Sequence, residues 1–165
     1  MSVWKYLMAA SLGNMIAGPL GALAFTAGAF FIGGKKNFNK AGNNFNQQQG
    51  VYAIGLIVLA AKLAKSDGQV TSDEIAKFKK IFRIPQSDLK QVAAIWKQAA
   101  ETSDGFEVYA EQLYQTFRRS PQMLEQIILG LFEIGYADHE LSPPELRYIK
   151  KVSNIFKLDL SLIHI

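Results

Sequence analysis

Carboxylates stand at matched places in two loops, and they are the residues of this chain best suited to chemistry. Asp67 and Glu74 lie seven positions apart, as do Asp138 and Glu145, and His139 follows Asp138. Oxygen donors of this kind suit a hard divalent cation. If the two loops faced each other, Asp67, Glu74, Asp138 and Glu145, with His139, could converge as its ligands. The spacing is not that of an EF-hand, which takes ligands from alternate positions of a loop of about twelve residues. The same side chains also have a local use. Thr71-x-x-Glu74 and Ser142-x-x-Glu145 are capping boxes, in which the hydroxyl accepts from the third helical N–H and the glutamate accepts from the cap's own N–H. Pro143 sits at the first helical position, where its missing donor costs nothing. Asp67 and Asp138 close the preceding helices, and Val70 and Leu141 are hydrophobic staples ahead of the caps. Capping accounts for every shared position. A divalent metal is the sharper alternative, and no other cofactor is expected.

Other chemistry is scarce. The chain has no cysteine and two histidines, His139 and His164, which excludes thiol nucleophiles, disulfides and cysteine metal sites. It has no nucleophile–histidine–acid set and no glycine-rich phosphate loop ahead of a helix, so an enzyme is not expected. The formal charge of +4 comes from Lys5, Lys35, Lys36 and Lys40, because the region from Val51 onward holds as many basic as acidic residues. A basic excess confined to the flanks of an apolar stretch argues against a nucleic-acid partner.

The loops need helices to hold them. Val51 to Lys65 is almost wholly apolar and reads as a helix buried all round. Thr71–Phe82, Gln86–Thr102 and Phe106–Arg119 follow as helices with apolar stripes; Ser120 caps a fifth to about Ala137, and Ser142 starts a sixth. No run alternates with period two long enough for a strand. The expected fold is all-α, a bundle of about six helices over 51–159. At an offset of 71 the segment from Ile54 to Ile81 lies over that from Glu125 to Val152. Asp67 falls on Asp138 and Glu74 on Glu145, so the bundle is built on two similar helical hairpins.

Tyr6–Gly34 carries no charge. Its 29 residues would reach ~43 Å as a helix, more than the ~30 Å of hydrocarbon in a bilayer. Residues 1–36 are therefore predicted to be a single-span membrane anchor, with 37–50 a flexible linker rich in Asn and Gln. One lysine precedes the span and three follow it, which puts the following domain in the cytoplasm. Gly13, Ala17 and Gly21 recur at spacing four, with Gly18 on the adjoining stripe. This small-residue face would let two anchors associate as a homodimer in the lipid bilayer. Gly18-Pro19 predicts a kink in the span or the bend of a membrane hairpin.

The stretches K-S-D-G-Q-V-T-x-x-E-I (Lys65–Ile75) and A-D-H-E-L-S-P-P-E (Ala137–Glu145) resemble the two signature loops of the TerB-like (tellurite resistance B) domain. Trp4-Lys5, Gly18-Pro19-Leu20-Gly21-Ala22-Leu23 and Gly33-Gly34 resemble the anchor of DjlA-type membrane J-proteins. The resemblance implies a co-chaperone of the bacterial inner membrane, whose TerB-like domain regulates or positions a C-terminal J-domain acting on an Hsp70-type chaperone. His139 stands where the second loop of that family usually has glycine. The His-Pro-Asp tripeptide of a J-domain occurs nowhere in the chain, so the J-domain is expected to be missing here. Residues 160–165 (LSLIHI) match the translation of a transposon end used in sequencing libraries, which predicts a non-native tail on a fragment. The alternative reading is a stand-alone anchored protein of envelope stress or of metal and tellurite resistance.

Overall fold

One helix runs through the middle of the molecule. In the computed structural model, which describes residues 18–26, 43–68, 72–136 and 140–162, helix α2 spans Asn43–Lys65 and every residue from Val51 to Ala64 is buried. A helix apolar on all sides has to be covered on all sides. Here α4 (Leu89–Ala99), α5 (Phe106–Phe117), α6 (Pro121–Gly135) and α7 (Pro143–Ile155) pack around it, with the short α1 (Pro19–Thr26) on a further side. Helix α3 (Ser72–Ile81) lies on α6. Single 3₁₀ turns, Gln86–Asp88 and Leu160–Leu162, precede α4 and follow α7. No strand occurs among the described residues. The all-α expectation holds, and α2 to α7 are the six helices read from the pattern.

The two hairpins also end alike. After α3, Ile84 N–H donates to Lys79 O and Arg83 N–H to Lys80 O; after α7, Leu158 N–H donates to Ser153 O and Lys157 N–H to Asn154 O. This is the Schellman pattern. In both copies the residue in the left-handed conformation is basic rather than glycine, Arg83 at φ 47° and Lys157 at φ 55°. A Cβ in that region costs about 1–2 kcal/mol. Arg83→Gly should therefore raise stability by about 0.5–1 kcal/mol, read as a higher denaturant midpoint with unchanged m.

Tyr148 of α7 ties the second hairpin to the central helix. It is 4% exposed, packs on Phe106 at 4.4 Å between ring centroids, and its hydroxyl donates to Leu59 O at 3.0 Å. Burial, helped by nearby Glu107, holds its pKa well above the ordinary 10.0. Burial also raises Tyr52 and Tyr109. A folded pKa above the unfolded one gives stability that is fully present below the unfolded value and lost as pH rises beyond it. Stability should therefore fall steeply once pH passes 10.0. Tyr148→Phe should flatten that alkaline limb while costing about 1 kcal/mol at neutral pH for the lost hydrogen bond, measured by chemical denaturation across pH.

One expectation needs correcting. The linker predicted over 37–50 is helical from Asn43 onward. Asn and Gln are poor to middling helix formers, but once a buried helix is nucleated each further turn needs only propagation; Gly50 is already buried. The anchor predicted over 1–36 is described at Gly18–Thr26, where it is an eight-residue helix packed on α2, α4 and α5. Leu20 and Ala24 are 0% exposed there. At Gly18-Pro19 a helix starts: Pro19 opens α1, and Gly18 holds φ +92°, a conformation glycine adopts freely. Among the described residues no helix is long and apolar enough to cross a membrane. The remainder of the predicted span lies outside the described residues.

Candidate functional site

The second signature loop closes a helix. Ser142 N–H donates to Glu145 Oε2 at 2.8 Å, and Glu145 N–H donates back to Ser142 Oγ at a long 3.4 Å. Both halves of the predicted capping box are present. Leu141, the staple, packs so tightly on Gly135 that a Cβ there would overlap its Cδ1. Ser142→Ala should cost about 1 kcal/mol, and Glu145→Ala should add little to it because each residue needs the other; thermal melts of both single variants and the double test this.

In the first loop, Asp67 is exposed in the turn after α2, where Gly68 N–H donates to Lys65 O and Lys65 Nζ to Gly68 O. Glu74 is half-buried on α3. Both carboxylates make interactions within the fold. Asp138 and His139 lie outside the described residues, so the four-carboxylate cation site is described only at Asp67, Glu74 and Glu145. Among the described residues no three acidic or histidine side chains come together as metal ligands.

A polar seam that sequence reasoning did not single out lies where α1 meets the bundle. Lys62 sits on the apolar central helix at 3% exposure. Its ammonium donates to Thr102 O and Asp104 O, both at 2.8 Å, and lies 5.7 Å from the centroid of the Tyr109 ring. Burial lowers its pKa, opposed by Asp104 and Glu107. A buried cation survives when it is paired and hydrogen-bonded; here the lysine crosses from α2 to fasten the turn between α4 and α5, where Asp104 N–H also donates to Thr102 Oγ1. Beside it Gln112 of α5 accepts from Leu20 N–H at 2.8 Å, satisfying one of the free donors of the first turn of α1. Between these two anchor points a cavity of about 440 Å³ is walled by Pro19, Ala22, Leu23 and Thr26 on one side and by Lys62, Gln98, Thr102 and Tyr109 on the other. It is mostly apolar along α1, and Glu101 adds to its polar far side.

Of the small-residue face, Gly21 is buried within the chain and Gly18 is exposed beside Gln112. Gly13 and Ala17 lie outside the described residues. In this arrangement Gly21 faces the bundle. Lys62 carried a signal in the sequence, a lysine amid apolar residues. Its acceptors, 40 and 42 positions away, carried none.

An all-α module built on two matched hairpins, the long helix of the first running through its centre and the second closed by a capping box at Ser142, defines a helical scaffold class. Residues 53–163 match the family described as tellurite resistance protein TerB. The match covers more than half of the chain, and the chain belongs to that family. It reaches past the boundary predicted at 159, and Leu160 packs against the core. No curated protein and no solved structure matches the chain.

Proposed function

We propose that the chain is a membrane-tethered TerB module that binds a partner and does no covalent chemistry itself, in the manner of the DjlA-type J-proteins that its N-terminus resembles. The supporting observation is the TerB match over 53–163, which follows the charge-free apolar stretch Tyr6–Gly34 in the chain. Glu145 and Lys62 are engaged in closing a helix and a turn. That suits a rigid docking scaffold better than a reactive centre. On this reading the module positions or regulates a J-domain that stimulates an Hsp70-type chaperone at the bacterial inner membrane.

The test is the intact reading frame and its product. A downstream domain bearing His-Pro-Asp, with Hsp70 ATPase stimulated by the whole protein in vesicles, is the expected result. A frame that ends without such a domain contradicts the co-chaperone role. The second reading is a stand-alone anchored protein of envelope stress or of metal and tellurite resistance, a role taken from the family's description. For that reading, addition of Ca²⁺, Mn²⁺ or Zn²⁺ should raise the melting temperature and shift NMR signals of the Asp67 and Glu145 loops. Unchanged melting and spectra would dispose of the metal site.

A further inference from the structure

Helix α1 has two homes open to it. It belongs to the uncharged Tyr6–Gly34 stretch, yet here it is seated in a groove formed by α2, α4 and α5. We propose that Pro19–Thr26 is an exchangeable plug: it fills this groove while the chain is off the membrane and leaves it for the bilayer on tethering, uncovering the groove. The proposal rests on the tethering reading above.

The seat has the features of a reversible one. Leu20, Leu23 and Ala24 are buried at 0%, 8% and 0% exposure, while Pro19, Ala22 and Thr26 face outward. Apolar side chains leave water equally well in a protein groove or in lipid, so the hydrophobic term does not by itself bind α1 to the bundle. At eight residues α1 is shorter than the ~12–15 that hold a helix in water alone, so it depends on its surroundings. A bilayer enforces helix by leaving the backbone no other partner. An open groove of about 440 Å³ runs along the exposed flank of α1, so that side of the helix is not covered by the bundle. The polar link from Leu20 N–H to Gln112 Oε1 is replaced in a continuous span by an intrahelical bond. Gly18 at φ +92° supplies the joint, since glycine adopts both this turn and helical φ.

The absence of cysteine makes the exchange directly measurable. Ala22→Cys on α1 and Gln98→Cys on α4 face the same cavity from exposed and half-buried positions. In the full chain carrying both, a short bismaleimide should join them efficiently in lipid-free solution. After addition of phosphatidylglycerol–phosphatidylcholine vesicles, the chain should float with the lipid and the yield should fall about tenfold. In parallel, Gln98→Cys alone should react faster with a water-soluble maleimide once vesicles are present. A chain that floats with undiminished cross-linking and unchanged labelling overturns the plug and leaves the tether standing. A chain that does not float overturns the tether and the exchange with it.

Discussion

Trp96→Ala should lower the free energy of unfolding by about 3–5 kcal/mol, a large share of the roughly 5–15 kcal/mol typical of a domain. Trp96 is 1% exposed on α4 and is among the largest fully buried side chains. Its ring lies 4.9 Å from that of Phe78, itself 0% exposed, and Phe78 in turn lies 4.8 Å from Phe82. This aromatic row fastens α3 to α4, so truncating Trp96 at its α4 end leaves a cavity against the Phe78 ring. The indole Nε1 is buried with no hydrogen-bond partner among the described residues. Trp96→Phe therefore forfeits no hydrogen bond and removes an unmet donor. It should stay within about 1 kcal/mol of the parent. Urea unfolding followed by circular dichroism separates the two variants; a similar loss in both would mean that the indole edge, not ring volume, holds the row.

The second large effect lies at the crossing of α2 and α5. Gly55 sits in the middle of the central helix, where alanine would ordinarily be better by about 1 kcal/mol. A Cβ on Gly55 would come within 2.7 Å of Leu113 Cδ1 and 2.9 Å of Leu113 Cγ. Leu113 is 0% exposed and has nowhere to turn. Overpacking therefore wins over propensity, and Gly55→Ala should destabilise by about 1–3 kcal/mol. Leu113→Ala alone should cost about 2–5 kcal/mol. Combined, the new methyl enters the space that the leucine vacates, so the double variant should be more stable than the sum of the two losses predicts. A double-mutant cycle in urea measures that coupling; strict additivity would mean that the two residues do not meet.

Much of the bundle was legible because its information is local. Apolar stripes at helical spacing gave α3 to α7, and Ser142, Pro143 and Glu145 marked the start of α7 within one turn. The wholly apolar run from Val51 announced a helix covered on every side. The start of α2 was not legible, since Asn43 to Gln49 look like linker by composition and become helical by continuing a helix that burial has nucleated. The seat of α1 was not legible for a deeper reason. Hydropathy measures exclusion from water, and Leu20, Leu23 and Ala24 are equally excluded by lipid or by a protein groove. The polar seam was hidden because both its bonds join distant parts of the chain, Lys62 to the α4–α5 turn and Gln112 to Leu20. The capping boxes show the converse. Their residues attracted a metal reading, while an interaction within four positions already accounts for Ser142 and Glu145.

The central claim, a TerB module tethered to a membrane through its apolar N-terminal stretch, meets its most direct test in alkaline carbonate extraction. Membranes from bacterial cells expressing the full chain would be washed at high pH and sedimented. The chain should stay in the pellet, and protease should cut the TerB bundle only in inverted vesicles, where the cytoplasmic face is outward. Release of the chain into the carbonate supernatant would contradict the tether.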